Sequence, residues 1–262
     1  MTTLRNSARE KLADGGLAIG FSVRLLRTVE VAPAAKAAGF DWLWLDCEHG
    51  TLSLDQAAQI AVAALECGIA PIVRVPNGEY SLATRILDNG ALGIVVPHVD
   101  TAEEAKEVVQ KLKYPPVGHR SIGGIGPHYG LRSLKVGDAA AVLNAANLTI
   151  VMLETPKAIE NADAIAAVPG IDVLLIGTND LCAEMGIPGE FTHDRVAAAY
   201  GTMIAACRNH GKHPGMAGIY TESIMQRYIA MGASFVLGGG DAAFVMTAAT
   251  SRATNLRKMA SA

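Results

Sequence analysis

The chain has 262 residues, close to the roughly 250 of an eight-unit β/α barrel and long for most other single domains. Half of its residues are apolar and 18% are charged, which excludes a disordered or low-complexity chain. A net charge of −3 without a dense lysine or arginine block excludes nucleic acid and an anionic membrane surface as partners and leaves a small molecule.

The opening stretch, MTTLRNSAREKLADGG, is polar and charged and does not read as a secretory signal, and no apolar run is long enough to span a bilayer. A cytoplasmic protein is expected. From there the chain alternates short apolar, β-branched runs with stretches rich in Ala, Glu, Leu and Lys, the pattern of a parallel sheet covered by helices. Eight runs are predicted as strands, at 17–23, 40–46, 70–75, 92–97, 148–154, 173–178, 214–219 and 234–239. The clearest helices between them are LDQAAQIAVAALECG (54–68), TAEEAKEVVQKL (101–112) and DRVAAAYGTMIAACRNHG (194–211). Several strands are continuously apolar, as expected where both faces are buried.

Eight units predict closure into a (β/α)8 TIM-type barrel, one domain over 1–262. A doubly wound open sheet usually carries a glycine-rich phosphate turn after its first strand, and GFSVRLLRTVE has none. The one long irregular stretch, 118–147, lies between strands four and five and is expected to be an active-site loop. Trp42 and Trp44 alternate with Leu43 and Leu45 and are expected to pack in the core or an interface. The four cysteines, Cys47, Cys67, Cys182 and Cys207, lack CxxC spacing and read as reduced, buried thiols.

In parallel barrels the reactive groups come from the C-terminal ends of the strands. Here strands two, three, five and six end in DCEH (46–49), Arg74, Glu154 and GTND (177–180). Glu154 and Asp180 close adjacent strands, so two hard oxygen ligands can converge on one Mg²⁺- or Mn²⁺-like ion while water and substrate fill its other positions. Both are equally placed to cap the helices that follow them. His49 fits a general base near neutral pH, and Arg74 fits an oxyanion or carboxylate holder; a local hydrogen bond for the histidine, or pairing of Arg74 with Asp46 or Glu48, is the structural alternative. Gly177, Thr178, Asn179 and Asp180 open a helix whose free N–H groups suit a substrate carboxylate. His98, His119 and His128 have no zinc-ligand spacing.

At these residues the sequence resembles the HpcH/HpaI aldolases, class II oxo-acid aldolases of the 4-hydroxy-2-oxo-heptanedioate aldolase group within the phosphoenolpyruvate/pyruvate barrel superfamily. The resemblance rests on AGFDWLWLDCEHG (38–50), PIVRVP (71–76), LDNGALGIVVPHVDTAEEA (87–105), KYPPVGHRS (113–121), LETPKAIEN (153–161) and GIDVLLIGTNDLCAEMG (170–186), in order and nearly end to end. It implies that Glu154 and Asp180 are the metal ligands, His49 the proton acceptor, Arg74 the stabiliser of the enolate oxygen, and Asp88 the carboxylate that raises the basicity of His49. The residue pattern alone puts Asp88 late in a helix and leaves Asp46 or Glu48 as alternative partners of His49. The sequence departs from the family at Met152, where a glutamine is usual, at Asn179, where a small alanine is usual, and in GHRSIGGIGPHYG. These departures bear on substrate contacts.

The implied reaction is metal-dependent cleavage or formation of 4-hydroxy-2-oxo acids from pyruvate or hydroxypyruvate and an aldehyde. Mg²⁺ or Mn²⁺ is the expected ion, with Co²⁺, Ni²⁺ and Zn²⁺ as further candidates. A CoA-thioester lyase of the citrate-lyase or malyl-CoA type and a non-catalytic oxo-acid binder are the alternatives. The resemblance also implies a homo-oligomer, with a hexamer favoured and the apolar C-terminal stretch at 242–260 as a helix exchanged between subunits.

Overall fold

A computed structural model describes residues 4–123, 126–132 and 135–261. Eight strands, β1 (Ala18–Val23), β2 (Trp42–Asp46), β3 (Ala70–Arg74), β4 (Gly93–Val96), β5 (Leu148–Leu153), β6 (Val173–Gly177), β7 (His213–Ala217) and β8 (Phe235–Gly240), pair in parallel, each with the next, and β8 returns to β1 to close the barrel. Each falls within about two residues of its predicted run. Between and around them lie α1 (Ser7–Ala13), α2 (Val31–Ala37), α3 (Leu54–Cys67), α4 (Tyr80–Asp88), α5 (Ala102–Leu112), α6 (Val136–Ala146), α7 (Pro156–Glu160), α8 (Ala162–Ala166), α9 (Thr178–Glu184), α10 (Asp194–His210), α11 (Glu222–Met231) and α12 (Asp241–Ala260). No described helix is long and apolar enough to cross a membrane.

Local sequence explains the clearest boundaries. Ser53 with Gln56 and Thr101 with Glu104 form capping boxes that start α3 and α5 by satisfying the first free N–H groups. Gly68 ends α3 in the left-handed region at φ 68°, where a side chain is disfavoured.

The continuous apolarity of the strands is resolved by parity. Leu43, Leu45, Val73, Leu174 and Ile176 face outward and pack under the helices, whereas Trp42, Trp44, Ile72, Ile150, Leu175 and Phe235 fill the barrel interior. Trp42 stacks on Phe235 with ring centroids 4.1 Å apart, and Gly20 leaves room for the indole to cross β1. The α1 residues Ala8 and Leu12 join this interior cluster, so α1 stoppers the N-terminal end of the barrel. Asn6 ties that stopper down by donating to the carbonyls of Leu92 and Ala146.

The described part of the 118–147 stretch is less irregular than expected. Its second part is α6, and Pro127–Tyr129 form a short 3-10 turn. It connects a helix to a strand, and all such connections in this architecture lie at the N-terminal end of the strands. His128 accordingly bonds the carbonyl of Ala91, just ahead of β4. Within one chain, its described part does not reach the mouth; Gly124, Ile125, Ser133 and Leu134 lie outside the described residues.

Candidate active site

The mouth residues are the next inward positions of the interior-facing series. After Trp42 and Trp44 comes Asp46; after Ala70 and Ile72 comes Arg74; after Ile150 and Met152 comes Glu154; after Val173 and Leu175 comes Gly177. Period-two alternation thus aims two carboxylates and a guanidinium into the same end of the barrel. Asp46 and Arg74 border a cavity of about 510 Å³ whose wall also includes His49, Met152, Gly177, Thr178, Asn179 and Asp180, and Glu154 lies against Gly177 of that wall.

Asp46 and Arg74 are register partners on β2 and β3. Arg74 Nε and Nη2 donate to the two Asp46 oxygens at 3.0 and 2.7 Å, a bidentate pair. Asp46 Oδ1 also accepts the backbone N–H groups of Glu48 and His49 at 3.1 and 3.2 Å, which folds the loop after β2 over the mouth. Burial acts to raise the Asp46 carboxyl, but Arg74 and these N–H groups outweigh it and hold the group below the usual carboxylate range. Arg74 Nη1 lies 3.0 Å from Glu48 Oε2 as a poorly aligned ion pair, and its guanidinium rests on the Trp44 ring at 5.0 Å. Burial disfavours the Arg74 charge, yet Asp46, Glu48 and Glu154 raise it above its ordinary range, so the arginine is a fixed cation.

His49 keeps 59% of its side chain exposed, and its Nε2 is 3.7 Å from Glu48 Oε2. Glu48 is therefore the carboxylate beside the ring, while Asp46 orients the main chain of His49. Neighbouring Cys47 is no competing nucleophile, because burial and Asp46 push its thiol up to about 11.

Glu154 is 1% exposed and accepts the His98 N–H at 2.8 Å, with His98 held at φ 52° and its Nδ1 3.4 Å away. Burial pushes the Glu154 carboxyl up to about 7; His98 and Arg74 pull it down and Asp180 pushes it up. A Cβ on Gly177 would sit 2.5 Å from Glu154 Oε1, so only glycine there leaves the carboxylate its place. Asp180 is exposed in the first turn of α9.

Two of the expected residues turn their side chains away from the mouth within one chain. The Thr178 side chain is buried and its hydroxyl meets Tyr200 Oη and the Ala217 carbonyl, both at 2.8 Å, so the side chain is committed to packing while the residue still borders the cavity. Asp88 closes α4 at the opposite end of the barrel, where its Oδ1 accepts from Arg120 at 2.5 Å and lies 3.4 Å from the Tyr114 hydroxyl. Within one chain it does not meet His49. Met152 lines the cavity floor, and Asn179 reaches the Gly218 carbonyl at 3.4 Å.

Residue-by-residue reading of the strand ends passed over Ser22, Arg24, Tyr220 and Asp241, which border the same cavity. Ser22 was readable as the next inward position after Ala18 and Gly20. Asp241 is 1% exposed and accepts the N–H groups of Arg24, Leu25, Leu26 and Ala242, tying the loop after β1 to the start of α12. Only the fold brings those segments together.

The model of the HpcH/HpaI aldolase/citrate lyase family matches residues 26–248. The chain is 42% identical to a 4-hydroxy-4-methyl-2-oxoglutarate aldolase of Hapsidospora irregularis over 90% of this chain and 89% of the relative. It is 38% identical to a 4-hydroxy-2-oxovalerate aldolase of Rhodococcus jostii over 90% of each. A crystal structure of an HpcH/HpaI aldolase from Desulfitobacterium hafniense superposes with a TM-score of 0.88 at 27% identity, covering 97% of both chains. By sequence along nearly its whole length and by fold, the chain belongs to the HpcH/HpaI aldolase/citrate lyase family.

Proposed function

We propose that the chain is a class II aldolase that cleaves, or in reverse forms, 4-hydroxy-2-oxo acids with the help of one divalent ion held by Glu154 and Asp180. The single observation that carries this reading is that Asp180, Arg74 and His49 line one cavity while Glu154, packed against Gly177 of its wall, feels the charges of both Asp180 and Arg74. The donor set fits a hard divalent cation: Asp180 stands near enough to disfavour the Glu154 charge, and Glu154 is kept uncrowded by Gly177. Among the described residues no third His, Cys, Asp or Glu joins them, which leaves positions for water and for a bidentate oxo acid. Mg²⁺ or Mn²⁺ suits an all-oxygen site best. When bound, the ion supplies Lewis acidity toward the 2-oxo acid.

The residues of the chain do the rest. Arg74, immobilised by Asp46 and Glu48, directs positive charge at the oxygen that becomes an enolate. His49 takes the proton of the C4 hydroxyl; C4–O becomes a carbonyl, and the C3–C4 electron pair passes to C3 as the enolate of pyruvate. A proton returned to C3 completes pyruvate. Replacing His49 by Ala is expected to lower pyruvate release about 10²- to 10⁴-fold, the usual worth of a general base. The same variant should still be stabilised by added Mn²⁺ in a thermal melt; undiminished turnover would remove His49 from the reaction.

The working particle we propose is a homo-oligomer, a hexamer by preference. Val245, Met246, Leu256 and Met259 on α12 are 41%, 61%, 54% and 69% exposed, more apolar surface than a terminal helix leaves in water without a partner.

A further inference from the structure

Most charged groups at the mouth are already committed. Arg74 is matched by Asp46 and Glu48, Asp46 by Arg74 and two N–H groups, and Asp241 by four N–H groups. Arg24 is not. Among the described residues its guanidinium makes one hydrogen bond, from Nη2 to the His49 carbonyl at 3.1 Å, and lies within ion-pair distance of no carboxylate. Nε and Nη1 have no partner among the described residues.

This arginine is held in place although its side chain is exposed. Its own N–H and those of Leu25 and Leu26 all point at buried Asp241, which pins the backbone, and the bond to His49 draws the guanidinium across toward the loop after β2. A side chain ordered in advance loses less on binding. Tyr220 shares this wall of the cavity and feels the charges of both Arg24 and Arg74.

The position of Arg24 relative to the reaction is decided by His49. If His49 acts on the C4 hydroxyl, a guanidinium bonded to the main-chain carbonyl of that residue lies on the His49 side of the cavity, where the substituents on C4 would sit. We infer that Arg24 is a specificity-determining residue that takes a carboxylate carried on C4, so that the preferred substrates are 4-hydroxy-2-oxo diacids and the released fragment is a second 2-oxo acid. This rests on the aldolase reading above. The step balances as before: C3–C4 breaks with its electron pair on C3, the hydroxyl proton goes to His49, and C4 becomes the keto carbon of the fragment that keeps the carboxylate. Two of the five guanidinium N–H groups can then meet that carboxylate side by side.

The test compares pyruvate release from 4-hydroxy-4-methyl-2-oxoglutarate, counted as two pyruvates, with release from 4-hydroxy-2-oxovalerate, which carries no C4 carboxylate. Wild type, Arg24→Gln and Arg24→Lys are assayed with Mn²⁺. The expected result is a wild-type preference for the diacid. In Arg24→Gln its kcat/KM should fall about 10- to 100-fold, the worth of a charge-assisted pair. The monoacid should fall far less, and Arg24→Lys should restore part of the preference. Backbone donation to Asp241 is untouched by these changes, and equal melting temperatures check that the fold persists. Equal losses on both acids make Arg24 a support for His49 alone and overturn the assignment, as does an unchanged diacid rate. Failure of the wild type to cleave either acid overturns the aldolase reading, and this inference with it.

Discussion

At the scale of single residues, Glu154 joins burial to chemistry. A carboxyl pushed up to about 7 inside the fold and free near 4.5 in the unfolded chain binds more protons when folded across that window. Stability of the metal-free protein should therefore fall as pH rises from about 4.5 to about 7 and level off above, as far as this group is concerned. Glu154→Gln keeps an acceptor for the His98 N–H but removes the titration. Melting temperatures across that range should decline less steeply in the variant than in wild type; parallel curves would show that Glu154 does not carry the raised pKa. Because a divalent ion needs the ionised form, Mn²⁺ should stabilise the wild type more at pH 8 than at pH 5.5.

At the scale of elements, the strands explain why so much of the site was legible. Once a run is known to be a barrel strand, period-two parity decides which residue at its end faces the mouth, and Arg74 and Glu154 satisfy it with Ile72 and Met152 as their inward predecessors. Parity also sends Thr178 outward, a consequence not visible from the GTND string taken as a helix start. The position of Asp88 at the far end follows from α4 running back down the barrel. What stayed illegible is long-range: Asp241 gathers N–H groups from residues more than two hundred positions away, and no local pattern announces that pairing. Within 118–147 the helix α6 was not legible because its Lys135 N-cap position has no side-chain capping bond, unlike Thr101 at the start of the equally long α5.

The C-terminal helix makes a prediction at the same scale. With only Asp241 buried along its length, α12 gains little from its own barrel beyond its first turns, where Phe244 meets Phe21 and Phe40. Leu256→Glu combined with Met259→Glu should shift the particle seen by light scattering from a hexamer to smaller species while circular dichroism stays unchanged. A wild-type monomer would contradict the proposed assembly.

For the whole molecule, the barrel has two unlike ends. One is stoppered by α1 and tied down by Asn6, together with an Arg9–Asp172 ion pair at 2.6 Å and buried Lys113. The other end is open, and its cavity brings carboxylates, a fixed arginine and a histidine together above an apolar floor. Stability and chemistry are thereby separated along one axis, which is how a barrel can vary its mouth without losing its core. The central claim is that this open end works through an ion held by Glu154 and Asp180. The direct measurement is pyruvate release from a 4-hydroxy-2-oxo acid by metal-stripped protein, before and after addition of Mg²⁺ or Mn²⁺. Negligible release that returns with metal in the wild type, and fails to return in Glu154→Gln, is the predicted result; equal release with and without metal would contradict the account.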